Sequence, residues 1–475
     1  MKRVLLVSTN TVTAPYPVPP LGLCLVAQSL ADRYEVRVLD GLADGGTGLS
    51  ALVRDFAPDY VGVGIRNVDE LVMQQPRSYV SDIRESFVAP LRAHSDAPLI
   101  LGGAGFSIFP DELMDAMDAD WGVVGEGEQA MPALLDALDR GADPRDIAGV
   151  TLPARARAAA PSLGPRRGEP LPGAAIGFSH LDRWVNFSLY RERGAYSLQT
   201  KRGCPRECIY CTYPTIEGCH ARLRAPEVVV DEIAQAQSRL GDVTFELVDS
   251  TFNDPPGHAE AICREILRRG LRLRLRTMGV NPSGVTEELV DLMRRAGFAQ
   301  IDSTPDSASP TVIEQLRKNF TVDDLIRSAR AVRSAGMPTM WFFLFGGPGE
   351  TEATVAETLE FIDREVAPND MVLMAAGLRV YPGTRLCEVA VAEGIVRAGQ
   401  RLLEPRFYVS PALGADRLHE LLEQACQARP NCVPAWQSTP DDDMRRRAAE
   451  LRRSGGLDEP MFRTFLRVRR ERMGT

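Results

Sequence analysis

Three cysteines, Cys204, Cys208 and Cys211, stand at C-x3-C-x2-C spacing in the stretch Lys201-Arg202-Gly203-Cys204-Pro205-Arg206-Glu207-Cys208-Ile209-Tyr210-Cys211. They follow a short apolar run, Tyr196-Ser197-Leu198, of strand character. Three thiolates on one loop leave a tetrahedral zinc one ligand short, but can hold three irons of a four-iron cubane and leave the fourth open. Gly203 and Pro205 suit a tight loop whose backbone N–H groups approach cluster sulfurs. Two plainer readings stay open: scattered structural thiols, or part of a zinc site, for which Cys219 and His220 are the nearby fourth partners.

The rest of the chain must position this loop. Its 475 residues suffice for two or three domains with their own cores. An apolar content of 44% and a charged content of 25% are those of an ordinary globular protein. A net charge of −9 argues against general nucleic-acid binding. There is no 18-residue apolar run, and Met1-Lys2-Arg3-Val4-Leu5-Leu6-Val7 reads as a strand, not a signal peptide, so no membrane partner is expected. Nine cysteines without a secretion signal fit a reducing cytoplasm, where thiols are metal ligands or buried side chains.

Strands and helices alternate over residues 1–150. Val4–Val7, Tyr34–Leu39, Tyr60–Ile65, Leu99–Gly103 and Trp121–Glu128 read as strands or strand–loop units. Helical stretches at 21–33, 49–56, 81–94 and 111–117 separate them. That alternation predicts a Rossmann-like, doubly wound parallel sheet with ligands at the strand C-termini. Ser8-Thr9-Asn10-Thr11 after the first strand lacks the G-x-G-x-x-G of a nicotinamide or flavin site. The glycines come instead after the third, fourth and fifth strands, where a large flat ligand can approach the backbone. Residues 151–194, rich in Ala, Pro, Gly and Arg at their start, read as a linker, with Phe178 to Tyr190 packing at the entrance of the next domain. Over 195–395 six further strand–helix units fit a partial (β/α)6 barrel with its chemistry at the strand C-termini. Residues 396–475 read as a mostly helical region that closes the barrel mouth and contributes to specificity. There Cys426 and Cys432 are either a second metal site or plain buried thiols.

The cysteine spacing, with aromatic Tyr210 before the last cysteine, resembles the radical S-adenosylmethionine (SAM) superfamily. The resemblance implies a [4Fe-4S] cluster on Cys204, Cys208 and Cys211, with SAM chelating the open iron. Ser303-Thr304-Pro305-Asp306-Ser307-Ala308-Ser309 resembles the G-x-E-S-G-S turn that contacts the SAM ribose, which puts Asp306, one methylene shorter, at the acidic place. Thr304 and Ala308 replace the glycines of that turn. Gly346-Gly347-Pro348-Gly349-Glu350-Thr351 resembles the segment near the adenine, and Tyr381-Pro382-Gly383-Thr384 the turn after the sixth strand. Asp249 falls where the family contacts the SAM amino group, and Tyr210 where its backbone contacts adenine.

Pro20-Leu21-Gly22-Leu23, Gly102-Gly103-Ala104-Gly105 and Val124-Gly125-Glu126-Gly127-Glu128 together resemble the cobalamin-binding domain that precedes many radical SAM domains. The D-x-H-x-x-G of a lower histidine ligand is missing, since the first histidine is His94. The resemblance therefore implies cobalamin bound without that ligand, with Arg66 and Asn67 near the lower face. The activity implied is C-methylation of an unactivated carbon of a small-molecule biosynthetic intermediate, by way of methylcobalamin and a 5′-deoxyadenosyl radical. Alternatives are a cobalamin-dependent cyclase or rearranging enzyme, methyl transfer to an aromatic carbon without a deoxyadenosyl radical, and a cobalamin sensor with a vestigial cluster. The implied partners are a free or carrier-bound small-molecule substrate and an electron donor such as flavodoxin or ferredoxin.

Overall fold

Continuous apolar runs such as Val4-Leu5-Leu6-Val7 form strands buried on both faces, which is how parallel sheets are covered. In the computed structural model of the chain, which describes residues 1–44, 48–153, 167–456 and 459–474, these runs build a six-stranded sheet. Its strands are β1 (Arg3–Ser8), β2 (Glu35–Asp40), β3 (Tyr60–Gly64), β4 (Leu99–Gly102), β5 (Trp121–Val123) and β6 (Val150–Thr151). The order is β2-β1-β3-β4-β5-β6, parallel except for β6, which pairs antiparallel with β5 at the edge. The run from Trp121 is a strand only to Val123; a helix the sequence reading did not single out, Gly127–Asp139, opens at Gly127. It packs with the helix Leu21–Leu30 on one face, while 49–56 and 80–117 cover the other.

The expected linker is compact where it is described: Leu181, Val185, Phe187 and Tyr190 belong to the core of the second domain, and the Tyr190 hydroxyl donates to Asp40 at the end of β2 (2.5 Å). The Ala- and Arg-rich stretch 154–166 lies outside the described residues.

The second domain carries β7 (Tyr196–Leu198), a two-strand hairpin of β8 (Lys201–Arg202) and β9 (Arg222–Leu223), then β10 (Thr244–Leu247), β11 (Arg274–Thr277), β12 (Ile301–Asp306), β13 (Thr339–Phe345) and β14 (Met371–Ala376). β15 (Leu378–Arg379) and β16 (Phe407–Tyr408) form a small antiparallel pair, and β17 (Cys432–Pro434) comes last. Strands β7, β10 and β11 form one parallel sheet and β12, β13, β14 and β17 another; bridges at Leu275–Phe298 and Val280–Ser303 join them into an open barrel. Along β13, Trp341, Phe343 and Phe345 pack outward on helices, so Met340, Phe342 and Leu344 face the lumen, as a period of two demands.

The expected boundary of the C-terminal region is corrected here. It supplies a seventh parallel strand, β17, and so belongs to the barrel it was set apart from. Its last helix, Met461–Met473, lies away from the mouth, whereas Val409 and Ser410 reach the turn after β13, where the Ser410 N–H donates to the Gly346 carbonyl (2.9 Å). Phe462 and Leu466 pack on Met340, Met371 and Leu373, close to the beginnings of β13 and β14, at the opposite end from the strand C-termini. Cys432 is inside β17 and Cys426 is buried against Met374; burial pushes both thiols up, as for inert core cysteines. No helix among the described residues is long and apolar enough to cross a membrane.

Candidate cofactor site between the two domains

β7 and β8 lead the chain directly into the cysteine loop, and buried polar contacts fix where the loop starts. Asp249, after β10, accepts from the Thr200 backbone N–H (2.7 Å), the Thr200 hydroxyl (2.5 Å) and the Lys201 N–H (3.3 Å). Both its oxygens are thus occupied with the loop, and burial raises its pKa despite Lys201 and Thr200. Glu217 accepts from the Gly203 N–H (3.0 Å) and from Gln199 (2.8 Å). Within the loop, Arg206 makes two 2.8 Å bonds to Asp254. Such charge-assisted, bidentate contacts set geometry as well as strength.

The three thiols are close enough to act on one another: Cys204 contributes to the raised pKa of Cys208, and Cys208 and Cys204 to that of Cys211, which reaches about 12, burial being the largest cause in both. A soft, three-thiol donor set fits an iron–sulfur cluster, whose positive irons would bind the deprotonated forms. Cys219 and His220, the zinc alternative's fourth partners, are both exposed and contact each other at 3.4 Å.

Beside the thiols sits a triad that the sequence reading only half anticipated. Asp306 accepts from the Tyr210 hydroxyl and from Lys318 Nζ (2.7 Å), and Nζ lies 3.3 Å from the Tyr210 oxygen. The Lys318 side chain is 6% exposed. Burial alone would lower its pKa, but Asp306 and the Cys208 thiol raise it, so the ammonium is held charged. The helix before it, Pro310–Gln315, stops short of Lys318, and Arg317 takes a positive φ of 52°. Asp306 also has a positive φ (63°), at an irregularity in the β12–β13 register, a strained conformation of the kind held at functional sites. The signal for Lys318 was rarity: the chain has three lysines, and two of them, Lys201 and Lys318, are buried beside the cysteine loop.

The turn after β13 joins the same assembly. The Ile209 N–H donates to the Leu316 carbonyl (3.2 Å), and Leu316 packs under Gly347. Pro348 is buried in that turn, which Glu350 holds by accepting from the N–H groups of Gly346 (2.6 Å) and Gly347 (3.1 Å). Thr351 then caps the next helix through Thr354, a device worth about 1 kcal/mol. Burial pushes Glu350 up to about 7. Because the folded state favours its protonated form, the stability it lends is complete below its ordinary value and is lost as pH rises towards 7. Glu350→Gln is expected to flatten this slope: thermal melts of wild type fall between pH 5 and pH 8 more steeply than those of the variant.

The cobalamin expectations concentrate on one cleft. It is lined on the N-terminal side by Pro20, Leu21, Gly22, Arg66, Gly102, Gly103, Ala104, Gly125, Glu126 and Gly127, and on the barrel side by Ser197, Gln199, Arg202, Tyr213, Val248 and Met278. Asn67 and Gly105 are not among the lining residues. Gly105 packs beneath the loop after β3, where a Cβ would sit 2.9 Å from the Arg66 carbonyl. Arg66 is exposed to the cleft and acts electrostatically on Tyr213, just past the cysteine loop, so it faces the other wall. The cleft continues between the sheet and its helices along Leu6, Gly62, Ile100 and Met131, an apolar slot. Glycine backbone along one wall and an apolar slot behind it fit a broad corrin with an appended tail.

Glu126 and Glu128 do more than line this wall. Arg202 bonds Glu128 (2.6 Å) and lies 3.2 Å from Glu126, and Arg222 bonds Glu126 (3.0 Å). Burial would raise the Glu126 pKa, but Arg222 and Arg202 hold it below the usual range. The hairpin that carries the cysteine loop is thereby riveted to the loop after β5. Gly103 shows how tight the wall is: its φ is 101°, and a Cβ would stand 2.6 Å from the Ile65 carbonyl. Gly103→Ala is expected to cost about 1–3 kcal/mol in a melt and to weaken hydroxocobalamin binding in an absorbance titration about tenfold or more. At Gly22, a helical position where a Cβ meets no atom within 4 Å, alanine should cost no stability and add up to about 1 kcal/mol.

Comparison with known proteins supports the same assignment. Residues 198–362 match the model of the radical SAM superfamily and residues 7–135 that of the B12 binding domain. The chain is 29% identical over 430 residues to tryptophan 2-C-methyltransferase of Streptomyces laurentii, covering 77% of this chain and 71% of the relative. It superposes on the radical SAM methyltransferase TsrM of Kitasatospora setae with cobalamin and a [4Fe-4S] cluster bound at a TM-score of 0.79, with 25% identity and all of both chains covered. The same enzyme with tryptophan and a SAM analogue bound gives 0.79 and 26%, covering 100% of this chain and 99% of that one. With its glycine-walled cleft set against a three-cysteine barrel loop, the chain carries a B12 binding domain followed by a radical SAM domain and is similar to cobalamin-dependent radical SAM methyltransferases, and its cofactors are a [4Fe-4S] cluster, SAM and cobalamin.

Proposed function

We propose that this enzyme transfers a methyl group to an unactivated carbon atom of a small-molecule biosynthetic intermediate held between its two domains, by way of methylcobalamin and a 5′-deoxyadenosyl radical. The observation that carries the reading is the shared cleft: the glycine wall and the barrel lumen open into one space, lined from both sides. When bound, the three cofactors would supply a corrin-borne methyl group and reductive cleavage of SAM. The chain's own part is to hold them and the substrate in register and to keep water out. Cys204, Cys208 and Cys211 would hold the cluster. Tyr210, Asp306, Lys318 and the Gly346-Gly347-Pro348 turn would surround SAM, with Asp249 setting the cysteine loop. The glycine loops and Arg66 would face the corrin.

The substrate would lie in the lumen above Val248 and Met278; Met278 is 43% exposed although large and apolar, as expected of a chamber wall. Its floor is polar. Tyr16, reaching in from the N-terminal domain, donates to Glu246 (2.6 Å), and the Arg276 guanidinium stacks on the Tyr16 ring at 3.7 Å. Asp302, whose carboxyl burial pushes up to about 7, lies close enough for Arg276 to oppose that rise. An apolar wall over a charged floor suits a compact molecule with a polar end. A free or carrier-bound substrate and an electron donor such as flavodoxin or ferredoxin complete the proposal.

A second reading has its own support. The likeness to a tryptophan 2-C-methyltransferase favours methylation of an aromatic carbon, a transfer that would proceed without a deoxyadenosyl radical. Anaerobic turnover with methyl-labelled SAM and candidate substrates separates the two. Labelled product with S-adenosylhomocysteine and an equivalent of 5′-deoxyadenosine supports attack on an unactivated carbon. Labelled product with S-adenosylhomocysteine alone supports the aromatic reading. 5′-Deoxyadenosine with an unlabelled product overturns both in favour of a rearranging or cyclising enzyme.

A further inference from the structure

Two loops beside the cobalamin wall and the turn after the sixth barrel strand meet at one side chain, Arg379, at the end of β15. Its Nε donates to Asp69 Oδ2 (2.9 Å), and Nη2 lies 2.7 Å from the same oxygen. Nη1 donates to the Val380 carbonyl (2.6 Å) and Nη2 to that of Leu402 (2.7 Å). The guanidinium lies over the rings of Tyr381 (4.7 Å) and Phe109 (5.7 Å). Asp69 follows Arg66 by three residues on the loop after β3. Phe109 ends the short helix that begins after Gly103, and Tyr381 opens the Tyr381-Pro382-Gly383-Thr384 turn. Two loops beside the cobalamin wall are therefore tied to a single cation together with the Tyr381 turn, whose following helix donates the Leu386 N–H to the Ile209 carbonyl of the cysteine loop (2.8 Å).

The tie is deeply buried: the Arg379 and Asp69 side chains are 4% and 1% exposed. A few residues on, Met73 fills the space beside Gly377, where a Cβ would fall 2.5 Å from its sulfur. A buried pair of this kind costs little when both partners stay and a great deal when one is withdrawn. While the pair is intact, the two loops and the turn are held to one another.

We propose that the Arg379–Asp69 pair is a positioning contact that couples cobalamin binding to SAM binding. This rests on the cofactor placement proposed above. Coupling between two sites is reciprocal, each ligand raising the affinity of the other by the same factor.

The test uses the full chain with its cluster reconstituted, without reductant or substrate, and measures SAM affinity with and without hydroxocobalamin, and hydroxocobalamin affinity with and without SAM. In wild type, each cofactor is expected to tighten the other by the same factor, within about 5–150-fold. In Arg379→Met the factor should fall to about one while each cofactor still binds alone, and Arg379→Lys should restore part of it. Asp69→Asn, nearly isosteric, replaces Arg379→Met as the deciding variant if that protein fails to fold. Cofactors that bind independently in wild type, or an undiminished factor in the deciding variant, overturn the proposal. Because no methyl transfer is involved, this failure is separate from that of the proposed reaction, which shows as missing methylated product.

Discussion

Alanine at Cys204, Cys208 or Cys211 is expected to strip the protein of its bound iron and to lower SAM turnover to the no-enzyme background, a drop of more than about a thousandfold. Each cysteine supplies a thiolate that no neighbour can replace, since Cys219 and His220 are exposed and contact each other. Cobalamin binding should survive within about threefold, because the glycine wall belongs to the other domain's sheet and keeps its own core. Iron analysis, the visible absorbance of the cluster and a hydroxocobalamin titration on the same preparations check all three statements. Cys219→Ala is the companion: it should retain iron and turnover. If Cys219→Ala loses metal as the other three do, a four-ligand zinc site returns and the cubane is lost.

Lys318→Met should be the next most damaging change. It removes the cation from a carboxylate that also accepts from Tyr210, deep beside the cysteine loop. Breaking a buried pair by deleting one partner costs about 3–5 kcal/mol, since the remaining charge keeps its desolvation penalty. Denaturant unfolding should show that loss, and SAM binding should weaken at least about tenfold as Asp306 and Tyr210 shift. The double variant Lys318→Met/Asp306→Asn separates the two effects. Without the orphaned charge, stability should return by more than half while SAM binding stays weak. A double variant that binds SAM as wild type does would make the triad purely structural.

Much of this site was legible in the residue order because its motifs are local. The cysteine spacing, the glycines within β3 and after β4 and β5, and the Gly346-Gly347-Pro348 turn each sit within a few residues, at strand ends that periodicity locates. Partnerships across the chain were not legible. Nothing near Arg202 announces that it meets Glu126 and Glu128, and nothing near Tyr16 announces Glu246, 230 residues away. Nothing local marks Lys318 either: it lies past the end of a helix, after Arg317 in a left-handed conformation. Asp249 was expected at the SAM amino group, yet its oxygens hold Thr200 and Lys201, a use that only the fold reveals. The short apolar run at Cys432–Pro434 carried no periodic signal, so its place beside β14 came from pairing alone.

That final strand bears on how the enzyme is made. Strand β14 cannot gain its outer neighbour until residues 432–434 have left the ribosome, and the helix 461–473 that covers the barrel floor emerges later still. Contacts so far apart in the chain are slow to close, so the nascent protein spends most of its synthesis with one flank of the barrel unzipped. The last flank of the barrel should accordingly form late, and truncation before Cys432 should leave β14 as an open edge and lower the yield of folded protein.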